Sequence, residues 1–182
     1  THTDSSAASD VYKRQFHDIV SKAVDLGFTE PDPKIDLCGI DVSRKILILA
    51  RESGYNIEFG EVKKNHFLPI RSINTKTRDD FLLSLKKNSN HFNKLLNDAK
   101  KKNCRLKFVA KLNKGKASVG LESVPPDHPF YNLVGSDNIT VFYTHRYSES
   151  PLVVKGAGAG GEFTASGVFA DIIKASQENG KH

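Results

Sequence analysis

The spacing of the apolar residues changes along this chain of 182 residues, and that change limits the folds open to it. From Phe16 to about Lys101 apolar residues recur every three or four positions, which is typical of helices that bury one face. From Arg105 to about Lys155 they alternate, which is typical of strands, and a last helix follows a glycine-rich turn. This order of helices, then strands, then a helix predicts an α+β fold, with a mixed β-sheet and helices packed on one face, rather than alternating βαβ units.

Turn residues divide these two regions into elements. Helices are predicted at about Phe16 to Leu26, Leu37 to Glu52, Thr77 to Lys101 and, after a glycine-rich turn, Phe163 to Gln177. Strands are predicted at His66 to Ile70, Arg105 to Lys111, Lys116 to Ser123, Ile139 to Tyr147 and Leu152 to Lys155. Because proline lacks a backbone donor and fixes φ, Pro31 and Pro33 predict an extended, non-helical turn between the first two helices.

The charges separate into a basic block and a more acidic remainder. Residues 63–116 hold 16 of the 27 Lys and Arg residues and three of the 21 Asp and Glu residues. Such a block suits an anionic partner such as nucleic acid, or a solvated helix face. Phe81 and Phe92 within this block fall on a predicted apolar stripe, and no nucleic-acid-binding motif is evident. We therefore expect no nucleic-acid partner.

Other patterns exclude several classes of protein. No apolar run approaches the roughly 18 residues of a membrane span. Neither the seven histidines nor Cys38 and Cys104 show metal-ligand spacing, and two cysteines are too few for a disulfide scaffold. We expect no membrane, no metal site and a cytoplasmic location. Residues 1–14 are small and polar without an apolar period, so we interpret them as a disordered or foreign leader before residues 15–182.

Acidic residues lead into the second predicted helix, where Asp41 and Lys45 lie four positions apart and share a face. One interpretation is an exposed ion pair of a few tenths of a kcal/mol. The other is a site. The residues after Lys45, Ile46 to Ala50, are all apolar, and a helix that is apolar all round is buried. Burial would lower the pKa of Lys45 and make it a candidate proton donor or base, and the proline turn can bring Glu30 and Asp36 near.

Glycines dominate residues 156–161, just before the last predicted helix. Glycines at a helix start let backbone N–H groups approach an anion or a cofactor ring closely. A tight strand-to-helix turn explains the same residues equally well. The segment is not the dinucleotide-binding fingerprint, because no second strand of a βαβ unit and no acidic ribose partner follow it.

Several longer strings resemble homoserine dehydrogenase, most closely the C-terminal part of bifunctional aspartokinase–homoserine dehydrogenases. The resemblance covers about Phe16 to the end. It is carried by GFTEPDP at residues 27–33, DLCGIDVSRK at 36–45, DHPF at 127–130, GSDN at 135–138, KGAGAG at 155–160 and TASGVFAD at 164–171. The family's catalytic domain is an α+β domain with a mixed sheet, which agrees with the order of elements predicted above.

The resemblance implies an oxidoreductase of threonine and methionine biosynthesis. It would reduce L-aspartate 4-semialdehyde to L-homoserine with NADPH or NADH, as a homo-oligomer in the cytoplasm or in a plastid. By matched position, Lys45 resembles the catalytic lysine, and Glu30, Asp36 and Asp41 resemble substrate-binding carboxylates. Gly27 and Gly160 match backbone positions near the nicotinamide.

The chain also departs from the family. The family's nucleotide-binding domain is missing, as are the first part of its catalytic domain, which carries a second lysine and a monovalent cation site, and any aspartokinase domain. Ile35 stands where the family usually has an acidic residue. We therefore expect residues 15–182 to be a partial catalytic and dimerisation domain that is inactive alone. The alternatives are a non-enzymatic basic binding module or a dimerisation fragment.

Overall fold

The fold is taken from a computed structural model that describes residues 15–135, 137–157 and 161–179. These residues fall into two compact units, the first ending at Pro125 and the second beginning at Pro126. The predicted leader, residues 1–14, lies outside the described residues.

The first unit contains six helices, a 3₁₀ turn and three strands within its described residues. They are α1 (Phe16–Asp25), α2 (Pro33–Leu37), α3 (Ile40–Glu52), the 3₁₀ turn (Phe59–Glu61), β1 (Lys63–Asn65), α4 (Ile70–Ile73), α5 (Arg78–Lys87), α6 (Ser89–Lys101), β2 (Arg105–Asn113) and β3 (Lys116–Val124). Its sheet has the order β1-β3-β2, with β1 parallel and β2 antiparallel to β3.

A two-residue turn joins β2 to β3. Lys114 and Gly115 have φ values of 47° and 75°, and Asn113 pairs with Lys116 on either side of them. Two positive φ values are the requirement of the tight hairpin turn whose twist matches that of paired strands.

Two clusters of buried side chains stabilise this unit. The sheet core joins α3 to one face of the sheet and consists of Ile46, Leu47, Ala50, Ile57, Val62, Ala117 and Val119. The helical core lies among α1, α5 and α6 and consists of Val20, Leu68, Phe81, Leu85 and Phe92. The Phe67 ring connects them, because it contacts the rings of both Phe92 and Phe108 at centroid distances of 6.3 Å. The structure confirms the predicted α+β class, a small mixed sheet with helices.

The described residues of the second unit form an antiparallel pair of strands and one long helix. The strands are β4 (Asp137–Phe142) and β5 (Leu152–Ala157), and the helix is α7 (Gly161–Asn179). An ion pair of 3.2 Å between Lys155 and Asp137 joins the two strands near one end of their ladder. None of the helices within the described ranges combines the length and the apolar composition of a transmembrane span.

The predicted helices exist, but two of them are interrupted. The helix predicted from Leu37 begins earlier, at Pro33, and breaks at Gly39 into α2 and α3. The prediction that Pro33 excludes a helix was wrong, because proline at the first helical position loses no hydrogen bond there. The helix predicted to reach Lys101 breaks at Asn88, whose side chain donates to the Ser84 carbonyl at 2.8 Å and so satisfies an end of α5.

Two predicted strands are placed differently. The strand predicted at His66 to Ile70 was wrong: β1 ends at Asn65, and Pro69 caps the short helix α4. The strand predicted to reach Tyr147 ends at Phe142, because Thr144 and Tyr147 exchange backbone hydrogen bonds and turn the chain.

Candidate active site

The segment between α1 and α2 is closed by a hydrogen bond between two of the predicted site residues. The backbone N–H of Glu30 donates to Oδ2 of Asp36 at 3.0 Å. Asp32 caps α2 by accepting from the backbone N–H of Lys34 at 3.0 Å, and Pro33 follows as its buried first residue. The first bond thus connects the loop that carries Glu30 to α2, and the Asp32 cap stabilises the first turn of the same helix.

Lys34, which the sequence did not indicate as a site residue, makes a further contact that holds this segment. Its ammonium donates to the backbone carbonyl of Thr75 at 2.5 Å and lies 3.6 Å from Oδ2 of Asp32. Its side chain is only 16% exposed. The contact spans 41 positions of the chain, so no local sequence pattern indicates it.

Gly39 joins α2 to α3 and sets the direction in which α3 leaves. Its φ is +71°, a region that favours glycine, and a Cβ added there would lie 2.6 Å from Cζ of Phe108. The carbonyl of Gly39 also accepts from the hydroxyl of Ser43 at 2.7 Å. Asp36 and Asp41 therefore lie on two helices whose junction is packed against the sheet.

Asp41 and Lys45 form an ion pair of 2.8 Å on α3, and their side chains are 51% and 61% exposed. The prediction that this helix is buried all round was wrong. Ile46 and Leu47 are buried, whereas Ile48 and Leu49 are exposed. Lys45 therefore lies on the solvent-facing side of an amphipathic helix, where small molecules can reach it.

Cys38 lies at the end of α2, next to the charged groups of the site. Burial raises the pKa of its thiol above the ordinary value of 9.0, and Asp32 acts in the same direction. Lys34 and Lys64 oppose this shift by stabilising the thiolate. Cys38 also packs against the helical core.

The predicted cofactor-binding glycines are only partly described. Gly27 has a φ of +70°, and no atom lies within 4 Å of the position of an added Cβ, so its backbone presents an open face. Gly160 lies outside the described residues, as do the other residues between Ala157 and Gly161. Within the glycine-rich segment, Gly156 belongs to β5 and Gly161 begins α7.

The structure thus brings the predicted residues together as two pairs, Glu30 with Asp36 and Asp41 with Lys45. The N–H of Glu30 uses one Asp36 oxygen, while Asp41 holds the Lys45 ammonium. A carboxylate can bind a cationic group, and an accessible ammonium such as that of Lys45 can exchange a proton. Among the residues that the structure describes, no group of three or more His, Cys, Asp or Glu side chains could hold a metal ion.

Comparisons with known proteins find relatives over most of the chain. The family model of homoserine dehydrogenase matches residues 6–173, and so includes residues 6–15, which our sequence analysis left outside the resemblance. The chloroplastic bifunctional aspartokinase/homoserine dehydrogenase 2 of Zea mays is 41% identical over 163 residues, which are 88% of this chain and 18% of that protein. The homoserine dehydrogenase of Saccharomyces cerevisiae is 39% identical over 180 residues, 94% of this chain and 48% of that protein.

Two solved structures have a similar fold. A Candida auris protein described as of unknown function superposes with a TM-score of 0.82 at 40% identity, covering 91% of this chain and 47% of that one. A putative homoserine dehydrogenase from Archaeoglobus fulgidus gives a TM-score of 0.65 at 26% identity, covering 90% of this chain and 43% of that one. The chain spans less than half the length of each of these four proteins.

Proposed function

Because this chain belongs to the homoserine dehydrogenase family, we propose that the protein carrying it interconverts L-aspartate 4-semialdehyde and L-homoserine with NADPH or NADH. The observation that supports this most directly is the accessible Lys45 ammonium, which forms an ion pair of 2.8 Å with Asp41 on α3. The preceding helix, α2, carries Asp36, which accepts from the backbone N–H of Glu30. The basic binding module considered above explains none of these contacts.

The three carboxylates are proposed to bind the substrate. Homoserine carries an α-ammonium group, and carboxylate oxygens are its natural hydrogen-bond acceptors. Glu30 has its backbone fixed by Asp36, which leaves its own carboxylate available to a ligand. Asp41 and Asp36 each retain acceptor capacity beyond the contact described, because an ionised carboxylate accepts about four hydrogen bonds.

Lys45 is proposed to exchange the proton of the substrate oxygen. In the direction of reduction, a hydride reaches the aldehyde carbon, the carbonyl oxygen gains negative charge, and the Lys45 ammonium transfers a proton to it, leaving a neutral amine and an alcohol. In oxidation the amine takes that proton back. The ion pair with Asp41 limits the orientations of the Lys45 ammonium, and we propose that it directs this ammonium toward the oxygen on which charge develops.

The nicotinamide cofactor supplies the redox chemistry when it is bound. On this chain, the residue that suits it is Gly27, because its left-handed backbone has no atom within 4 Å of a Cβ position and a flat ring can approach it closely. Gly160 is proposed to contact the nicotinamide as well, because it matches such a position in the family. We further propose that the protein acts as a homo-oligomer, such as a dimer, in the cytoplasm or, as the name of the maize relative indicates for that protein, in a plastid.

The proposal is tested with the full-length protein that carries this chain, assayed for oxidation of L-homoserine with NADP and with NAD. We expect turnover, and we expect Lys45→Ala to lower kcat by roughly 10²–10⁴, the usual contribution of a positioned acid–base group. Lys86→Ala, which removes an exposed lysine of α5, is the matched control and should leave kcat unchanged. The 182-residue chain alone is expected to be inactive.

Two results would contradict this function. A full-length protein without homoserine-dependent reduction of either dinucleotide would contradict the activity itself. An unchanged kcat in Lys45→Ala would remove Lys45 from the proton transfer while leaving the family assignment intact.

A further inference from the structure

The helix that carries Asp36 is too short to hold its own position. Helix α2 has five residues, and a helix of that length does not persist in water without tertiary contacts. Yet the Asp36 carboxylate must stay in place, because it holds the backbone of Glu30 at 3.0 Å. The geometry of both carboxylates therefore depends on whatever fixes α2.

Apolar packing fixes one side of α2. Pro33 is buried, and Leu37 and Cys38 pack against the helical core. Such packing is not directional, so it allows a short helix to rotate or slide by small amounts. Directional contacts at the N-terminal end are of two kinds: the Asp32 cap, which is internal to the segment, and the Lys34 ammonium, which reaches another part of the unit.

The acceptor of Lys34 is itself held firmly. Thr75, whose carbonyl accepts from the Lys34 ammonium, donates its hydroxyl to the Ser72 carbonyl at 2.8 Å. Ser72 is fully buried, and its hydroxyl is hydrogen-bonded to that of Ser84 on α5. The ammonium is thus attached through Thr75 to a buried polar network rather than to a free surface loop.

We propose that Lys34 is a positioning residue, whose contact with Thr75 fixes α2 and thereby places Glu30 and Asp36 for the substrate. The substrate part of this inference rests on the proposed function. A charge-assisted hydrogen bond is about twice as strong as a neutral one, and Lys34 is largely shielded from water, so its loss loosens α2 specifically. The sheet core and the helical core do not include Lys34 and are expected to keep their packing.

The first experiment measures amide hydrogen exchange in the full chain of wild type, Lys34→Met, Lys34→Arg and Lys86→Met. Methionine keeps most of the apolar stem and removes the ammonium. We expect the Glu30 amide to exchange about tenfold faster in Lys34→Met, while core amides such as that of Ala50 keep their rates. Lys34→Arg should recover part of the protection because it retains a charged donor, and Lys86→Met should match wild type.

Either of two hydrogen-exchange results would overturn the proposal that Lys34 fixes α2. One is an unchanged Glu30 amide in Lys34→Met. The other is an equal acceleration at Glu30 and at the core amides, which would show general destabilisation in place of local loosening.

The second experiment measures steady-state kinetics of the same variants in the full-length protein. We expect Lys34→Met to raise KM for homoserine about tenfold and to leave KM for the dinucleotide within about twofold, with Lys34→Arg intermediate. Equal changes in the two KM values, or no change in either, would overturn the substrate role of Lys34. If the wild type had no turnover, the proposed function and the substrate role would both fall, while hydrogen exchange would still decide whether Lys34 fixes α2.

Discussion

At the scale of single residues, Gly39 has the most demanding backbone in the candidate site. It combines a positive φ with a ring at the position that a side chain would occupy. Gly54 offers a natural comparison, because its φ is +84° and no atom lies within 4 Å of its Cβ position. Substitution of Gly54 therefore reports backbone strain alone, whereas substitution of Gly39 reports strain together with the clash against Phe108.

We expect Gly54→Ala to lower the free energy of unfolding by about 1 kcal/mol and Gly39→Ala by about 2–4 kcal/mol. Urea unfolding followed by circular dichroism measures both. Phe108→Leu removes the ring that a Cβ at position 39 would meet. The double variant Gly39→Ala/Phe108→Leu should therefore lose less stability than the sum of the losses in the two single variants. Equal losses in the two glycine variants would show that Phe108 does not restrict the junction of α2 and α3.

Cys38 provides a second prediction at this scale, because its raised pKa makes the thiol poorly reactive at neutral pH. In a Cys104→Ser variant, which leaves Cys38 as the sole cysteine, iodoacetamide should alkylate the folded chain slowly and with a midpoint above pH 9.0. Urea-unfolded chain at the same pH should react faster. A folded-state midpoint below 9.0 would contradict the dominance of burial over Lys34 and Lys64.

The same shift has a defined effect on stability. Since the thiol ionises more readily in the unfolded chain, its contribution is fully present below about pH 9.0 and decreases as the pH rises toward the higher folded-state value. Cys38→Ala should therefore flatten the loss of stability above pH 9.0. Tyrosines and lysines titrate in both proteins, so the difference in the pH dependence of unfolding free energy between variant and wild type reports Cys38 alone.

At the scale of elements, helix α3 carries an ion pair, Asp41–Lys45, that we expect to matter for the reaction and hardly at all for stability. The Asp41–Lys45 pair is more than half exposed, and such i, i+4 pairs contribute about 0.3–0.5 kcal/mol. Asp41→Asn and Lys45→Met should each change the free energy of unfolding by less than about 0.5 kcal/mol, while Lys45 variants lose turnover. A loss of more than about 1.5 kcal/mol would indicate that the pair is a structural contact.

The β2–β3 hairpin offers a stabilising substitution. Lys114 has a φ of 47°, where asparagine is better tolerated than lysine, and Asn-Gly is the preferred sequence for this turn. Lys114→Asn should raise the free energy of unfolding by about 0.5 kcal/mol. Lys116→Asn in the adjacent strand loses the same charge but should not stabilise, so the comparison separates the effect of the turn from that of the charge.

The elements themselves were largely predictable from the sequence, whereas the breaks within helices were not. The period of apolar residues continues across Gly39 and Asn88, and a glycine inside a helix costs only about 1 kcal/mol, so the pattern could not separate a kink from a continuous helix. Lys45 shows the same limit. A run of five apolar residues predicted burial on all sides. Burial, however, depends on which neighbours pack against each side of the helix, and Ile48 and Leu49 stay 61% and 40% exposed.

At the scale of the whole molecule, the site depends on contacts between distant parts of the chain. The paired residues Glu30–Asp36 and Asp41–Lys45 are close in sequence, so motif spacing was sufficient to find them. The Lys34–Thr75 contact joins positions 41 apart, and Phe108 reaches Gly39 from the sheet. The conformation of residues 30–45 therefore depends on how the sheet core and the helical core pack around them.

The two compact units differ in how much they bury, and this leads to a prediction about folding. All fully described core residues, from Val20 to Val124, belong to the first unit. Among the described side chains of the second unit none is buried, and several apolar ones on α7 and β5, including Phe169, Ile172 and Val154, are exposed. A two-stranded sheet with little buried surface is at best marginally stable in water.

We therefore expect residues 15–125, expressed alone, to unfold cooperatively in urea, and residues 126–182 alone to show no cooperative transition. Circular dichroism at 222 nm during urea titration measures both, and the full chain serves as the reference. Because the slope of unfolding free energy against urea scales with the surface exposed, residues 15–125 should retain most of the slope of the full chain. A cooperative transition in residues 126–182 would show that strand pairing and α7 stabilise that unit without a buried apolar core.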